Sequence, residues 1–191
     1  MPLLPIKISD LKDPDRRLLA RALTLVENDL PGSAELLASL DFKTEVPVTG
    51  ITGPPGAGKS TLIDALIEKM VGKGASVAVL AVDPTSPFSY GSLLGDRIRM
   101  SKWHTHPGVY IRSIATRGSL GGLSAKAIEM TDLLRHADFD HIFIETVGIG
   151  QSEVEVAGLA DRTLLVLMPG GGDEIQHIKS GIMEIADAFV V

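Results

Sequence analysis

Short apolar runs alternate with amphipathic stretches along most of this chain, and the alternation predicts strands separated by helices. The predicted strands are residues 46–52, 77–82, 109–114, 142–145, 163–167 and 189–191. The predicted helices between them are residues 59–71, a short helix near 96–102, 124–136 and 175–186. Strands that are apolar on both faces, with helices between them, are typical of a mostly parallel sheet covered on both sides. The pattern therefore predicts an α/β fold.

The first part of the chain has a different pattern. Residues 10–43 show helical spacing of apolar positions, interrupted by Pro31-Gly32, and no strand-like run. Such spacing predicts two amphipathic helices ahead of the sheet. No residue in them indicates chemistry, so we interpret residues 1–44 as a helical extension for packing or dimerisation. Residues 45–191 are then the α/β domain.

Composition excludes several classes of protein. The 191 residues carry a formal net charge of −6 and are 45% apolar. This is too apolar for a disordered chain and too acidic for non-specific binding to nucleic acid. The absence of Cys excludes a disulfide scaffold, Cys-ligated zinc and thiol catalysis. No apolar run approaches the roughly 18 residues of a membrane span, and the N-terminus is unlike a signal peptide. We therefore expect a cytoplasmic protein with neither a membrane nor a nucleic-acid partner.

Residues 53–60, Gly-Pro-Pro-Gly-Ala-Gly-Lys-Ser, match the phosphate-binding pattern G-x-x-x-x-G-K-[ST] between a predicted strand and a predicted helix. Phosphates need inward-pointing backbone N–H groups, and Gly56 and Gly58 leave room for that approach. The helix N-terminus favours a phosphate, Lys59 supplies charge to the β- and γ-phosphates, and the Ser60 hydroxyl can ligate Mg²⁺. The candidate nucleotide-binding residues are Gly53, Pro55, Gly56, Ala57, Gly58, Lys59, Ser60 and Thr61.

Carboxylates at predicted strand ends are candidate metal-side residues. Glu145 ends an apolar strand, and Gly148, three residues later, can offer its N–H to a γ-phosphate. The alternative for Glu145 is an ordinary surface carboxylate. Asp83 ends another strand and can orient metal-bound or attacking water, or simply form a turn before Pro84. Spacing leaves Asp96 open between a metal ligand and a helix N-cap.

The motifs together resemble the MeaB/ArgK family of P-loop GTPases, which belongs to the SIMIBI class. The similarity starts near residue 13, continues to the last residue and keeps one motif order. It is carried by residues 50–61, 82–87, 95–100, 117–123 and 145–153. The resemblance implies a homodimeric GTPase chaperone of adenosylcobalamin-dependent acyl-CoA mutases such as methylmalonyl-CoA mutase. Such a protein gates cofactor loading and protects the mutase; an older family label is LAO/AO transport system ATPase or kinase.

The resemblance also implies roles for individual residues. It makes Lys59 and Ser60 the phosphate and Mg²⁺ residues, and it favours Asp96 as a metal ligand. The implied catalytic residues are Lys59, Asp83 and Glu145, and the implied metal residues are Ser60, Asp96 and Glu145. Residues 169–179 are similar to the additional switch loop that contacts the mutase, with Asp173 and Lys179 as coupling residues.

One departure from the family pattern concerns the base. The guanine-reading Asn-Lys-x-Asp motif would follow Val191, and the C-terminal helical arm is also missing. We therefore expect the chain to be a fragment that lacks its C-terminal part. GTP as substrate then rests on the resemblance.

The leading hypothesis is a slow GTPase switch in which water attacks the γ-phosphate in line, with Mg²⁺ and Lys59 spreading the developing charge. One alternative is a nickel or zinc metallochaperone GTPase of the SIMIBI class, although zero Cys and five scattered His argue against it. Another is a small-molecule or protein kinase linked to amino-acid transport, which would need an acceptor site and a catalytic base.

Overall fold

The computed structural model describes residues 6–12, 15–41, 45–83, 100–115, 122–146, 158–169 and 182–191. Within these ranges no helix combines the length and the apolar character needed to cross a membrane.

In the part of the chain that the structure describes, six strands form one sheet, and every pairing between them is parallel. The strands are β1 (Val48–Thr52), β2 (Val77–Asp83), β3 (Val109–Ala115), β4 (His141–Thr146), β5 (Arg162–Val166) and β6 (Ala188–Val190). Their order across the sheet is β3-β2-β4-β1-β5-β6. The predicted α/β fold with a parallel sheet is confirmed, and the predicted strand ends lie within two residues of the observed ones.

Helices in the described residues are α1 (Arg17–Glu27), α2 (Ser33–Ala38), α3 (Lys59–Val71), α4 (Gly122–Arg135) and α5 (Ile182–Ile185). Two 3₁₀ helices cover Ile8–Lys12 and Ser101–Trp103. The predicted N-terminal helical stretch is divided by left-handed backbone. Arg16 (φ 58°) precedes α1, while Asp29 (φ 49°) and Gly32 (φ 95°) lie between α1 and α2. A right-handed helix cannot continue through such residues.

The two faces of the sheet are covered by different helices, and strand β2 shows how. Val77 and Val79 belong to a core cluster with Ile63 and Ile67 of α3. Ala78 and Leu80, which alternate with them along the strand, belong to a second cluster, which also contains residues of α1, α2 and α4. Successive side chains of a strand point to opposite faces, so a continuous apolar run covers both. The N-terminal helices thus share one core with the sheet.

The strand order decides which loops meet. Strands β1 and β4 are neighbours, and Ile51 lies in register with Glu145. Both strands run in the same direction, so the loop after β1 and the last residues of β4 lie at the same carboxyl edge. In open parallel sheets this edge is the usual place for a ligand.

Candidate phosphate-binding site

The loop between β1 and α3 can be built only from particular residues. Gly53 has φ 140°, and a Cβ placed on it would lie 2.1 Å from the carbonyl oxygen of Val166 in β5. Only glycine allows the loop to pass so close to the neighbouring strand. Gly58 (φ 93°) precedes the first residue of α3, and its carbonyl accepts the N–H of Leu62 at 2.9 Å. The chain therefore turns sharply and begins α3 at Lys59.

Lys59 extends back along this loop rather than into solvent. Its side chain is buried, and Nζ donates to the carbonyl oxygens of Gly53 at 2.7 Å and Pro54 at 2.9 Å. A buried ammonium is costly unless polar groups surround it, and these carbonyls supply part of that compensation. The arrangement places a full positive charge within the loop and beside the N-terminus of α3, where a phosphate would be favoured.

Ser60 and Glu145 meet across 85 residues of sequence. The Ser60 hydroxyl donates to Oε1 of Glu145 at 2.6 Å, and the Glu145 side chain is buried at the end of β4. A hydroxyl and a carboxylate are the hard oxygen donors that Mg²⁺ prefers, and the ion usually keeps phosphate oxygens and waters as its other ligands. The pair therefore fits a Mg²⁺ ion bound beside the phosphates.

A pair of buried threonines lies at the ends of the same two strands and was not singled out in the sequence. Thr146 of β4 donates its hydroxyl hydrogen to Oγ1 of Thr52 in β1 at 3.0 Å. This bond ties together the strand ends that carry the loop and Glu145. The available sequence signal was a Thr at the end of each of two mostly apolar strands.

The structure brings Gly53, Lys59, Ser60 and Glu145 together at one edge of the sheet. The same loop and the first turn of α3 contain the other predicted nucleotide-binding residues, namely Pro55, Gly56, Ala57, Gly58 and Thr61. Asp83 is the last residue of β2, which adjoins β4, so its backbone ends at this edge; its side chain lies outside the description. Four predicted residues lie outside the described ranges: Asp96, Gly148, Asp173 and Lys179.

A parallel sheet, a glycine-rich loop after its first strand, and a Lys-Ser pair opening the next helix define a P-loop NTPase. Residues 19–191 match the model of a family described as methylmalonyl-CoA mutase-associated GTPase MeaB, and the chain belongs to this family.

Known proteins resemble the chain along nearly its whole length. It is 54% identical to a protein of Pyrococcus horikoshii named as a GTPase, over 96% of this chain and 58% of that protein. It is 43% identical to the mouse methylmalonic aciduria type A homolog, a mitochondrial protein, over 92% of this chain and 46% of that protein. The crystal structure of an LAO/AO transport system kinase superposes with a TM-score of 0.73 at 33% identity, over 96% of this chain and 54% of the other. The chain spans about half the length of these relatives.

Proposed function

We propose that this chain is the nucleotide-binding part of a GTPase that hydrolyses GTP to GDP and phosphate with Mg²⁺. The observation that carries the proposal is the meeting of Ser60 with Glu145 at 2.6 Å, beside the buried ammonium of Lys59. The preference for guanine is supported by the family and by the naming of the Pyrococcus relative.

In the proposed reaction, the N–H groups at the start of α3 and the ammonium of Lys59 bind the β- and γ-phosphates. Ser60 and Glu145 would hold Mg²⁺, and the ion would supply positive charge beside oxygens that become more negative in the transition state. Asp83 orients the attacking water, Asp96 completes the metal ligands, and the N–H of Gly148 contacts the γ-phosphate. Such catalysis is mainly positioning and charge stabilisation, since phosphoryl transfer needs little covalent chemistry from the protein.

The proposed cellular role is that of a cytoplasmic chaperone for an adenosylcobalamin-dependent acyl-CoA mutase such as methylmalonyl-CoA mutase. Association with the mutase is supported by the family description and by the mouse relative. In the full-length protein, taken to be a homodimer, Asp173 and Lys179 couple GTP hydrolysis to cofactor loading and mutase protection. Copurification of the full-length protein with methylmalonyl-CoA mutase tests the partner.

Lys59→Ala in the full-length protein tests the activity. Removing the ammonium takes a charge from the developing phosphate transition state, so we expect GTP hydrolysis to fall at least about 100-fold. Release of phosphate from GTP is the measurement, with and without a chelator of Mg²⁺. The matched control is Lys69→Ala, an exposed Lys on the same helix, which should hydrolyse GTP like the unaltered protein.

Two outcomes contradict the proposal. If Lys59→Ala keeps most of its activity, the loop is not the phosphate site. If labelled nucleotide transfers phosphate to an acceptor rather than to water, the protein is a kinase.

A further inference from the structure

A polar contact connects α3 to the 3₁₀ helix at Ser101–Trp103, away from the residues already assigned to phosphate. The indole N–H of Trp103 donates to Oδ1 of Asp64 at 2.6 Å. The ammonium of Lys102 lies 2.9 Å from Oδ2 of the same carboxylate. We call Asp64, Lys102 and Trp103 the Asp64 latch.

The latch lies on the part of α3 that continues from the phosphate site. Asp64 follows Ser60 by four residues, so the two side chains share one face of the helix. Ile63 and Ile67 lie beside Asp64 on the helix, are fully buried and pack toward the sheet. The polar contact of Asp64 holds α3 to the 3₁₀ helix and the apolar contacts of Ile63 and Ile67 hold it to the sheet, so together they restrict the movement of α3. Since Lys59 and Ser60 form its first turn, the same contacts fix their placement relative to Glu145.

Burial, a cation–π contact and the ionised state of Asp64 stabilise the latch. Trp103 is 8% exposed and belongs to the core cluster that contains Ile63 and Ile67. The Lys102 ammonium lies 4.9 Å from the centre of the indole ring, within the range of a cation–π contact. Burial raises the pKa of Asp64, but the hydrogen bonds from Lys102 and Trp103 and the charge of Lys102 outweigh it and hold the pKa below its ordinary value. The carboxylate therefore stays ionised at neutral pH.

We propose that Asp64 is a positioning residue for the nucleotide site and acts through Trp103. By holding α3, the latch favours the placement of Lys59 and Ser60 that binds Mg²⁺ and nucleotide. This inference rests on the proposed GTPase function. Coupling between two sites is reciprocal, so nucleotide binding at Ser60 must in turn strengthen the contact at Trp103.

The 191-residue chain contains one Trp, so its only indole N–H resonance in a ¹⁵N spectrum reports on the latch. We expect this resonance to shift when the chain is titrated with Mg²⁺ and GTP. Asp64→Ala should move the resonance in the free protein, remove its response and weaken GTP binding roughly three- to tenfold, the loss of a hydrogen bond of ordinary net strength. Asp64→Asn keeps an acceptor oxygen, so it should retain most of the resonance shift on titration and most of the GTP affinity. Affinity is measured by calorimetry.

Two further variants separate positioning from general stability. Trp103→Phe keeps an aromatic ring in the core but lacks the N–H, so its loss of affinity should approach that of Asp64→Ala, which also loses the ion pair with Lys102. Glu68→Gln is the matched control, because Glu68 contacts Lys102 at 3.2 Å but is mostly exposed and has no hydrogen bond to Trp103. It should change neither the resonance nor the affinity. Thermal melting shows whether each variant is folded.

The outcomes distinguish this inference from the proposed function. If the unaltered chain binds GTP, Lys59→Ala does not, and Asp64→Ala and Trp103→Phe bind like the unaltered chain, the latch proposal is wrong while the GTPase proposal stands. If the unaltered chain binds GTP without a shift of the indole resonance, the latch proposal alone is overturned; if neither this chain nor the full-length protein binds GTP, both are overturned.

Discussion

Two regions of this molecule contain serine hydrogen bonds of the same length that connect very different parts of the chain. At the phosphate edge, formed by residues 53–60 and Glu145, the Ser60 hydroxyl donates at 2.6 Å to a carboxylate 85 residues away. In the N-terminal layer, formed by α1 and α2, the Ser39 hydroxyl donates at 2.6 Å to the carbonyl of Leu36, three residues back. The first bond depends on the order of strands in the sheet, whereas the second closes a local turn.

The regions also differ in what they bury. The phosphate edge buries Lys59 and Glu145, whose charges must be compensated by partners and which add little net stability. The N-terminal layer buries Leu19, Leu23 and Val26, which contribute about 1.5–3 kcal/mol each by leaving water. We conclude that the layer mainly stabilises the fold, while the edge buries charged side chains that add little net stability.

The largest expected effect is on stability and comes from the layer. Leu23→Ala removes a fully buried side chain from the core that α1 shares with the sheet. We expect the free energy of unfolding to fall by about 2–5 kcal/mol, since a cavity remains. Urea denaturation measures the loss, and nucleotide affinity at a temperature where the variant is folded should stay within about twofold.

Leu30→Ala is the control for this prediction, because Leu30 follows α1 but is 45% exposed. It should cost much less stability. A large loss of nucleotide affinity in folded Leu23→Ala would show that the two regions are coupled rather than separate.

A smaller effect, and one on function, is expected from the edge. Ser60→Ala removes the hydroxyl assigned to Mg²⁺, so GTP hydrolysis by the full-length protein should fall roughly 100-fold, about 2.7 kcal/mol of activation free energy. Stability should fall by no more than about 1–3 kcal/mol, the cost of the lost bond to buried Glu145. Ser39→Ala, which loses a bond of the same length in the layer, should leave hydrolysis unchanged. Equal rates for the two variants would remove Ser60 from the site.

The smallest effect concerns the other end of β4, where His141 lies. Its Nε2 is 3.0 Å from the Thr49 hydroxyl. Burial lowers the pKa of His141 from 6.5, with the nearby charge of Asp161 opposing the shift. The unfolded chain therefore takes up the proton first as the pH falls. This contribution to stability is full above pH 6.5 and decreases below it. Unfolding free energies at pH 8 and pH 5.5 should differ less in His141→Gln than in the unaltered protein; an identical pH dependence would contradict the assignment.

Periodicity predicted most of the fold because burial on both faces leaves a continuous apolar run, as in residues 77–82. The predicted helix 59–71 agrees with α3 at both ends. The two predicted N-terminal helices are present, but they cover less of residues 10–43 than predicted, because Arg16 and Asp29 adopt left-handed backbone. Non-glycine residues rarely do so, and no sequence pattern marks them.

The residues of the candidate site, like the elements of the fold, were predicted only in part from the sequence. The motif at residues 53–60 identifies Lys59 and Ser60, because phosphate binding requires glycines and a helix start at fixed spacing. Glu145 was predicted from its place at a strand end. No pattern indicated the contact of Asp64 with Trp103, since these residues are 39 positions apart and each is ordinary for its element.

The amino-acid sequence alone determined which segments form strands and helices and which residues form the candidate phosphate loop. Both depend on residues that are only a few positions apart. Only the tertiary structure determined which strands pair with β1. That choice brought Glu145 to Ser60, Thr146 to Thr52, and the backbone of Val166 against Gly53. Strand order follows from how all the helices cover both faces of the sheet at once, and that is a property of the whole fold rather than of any segment.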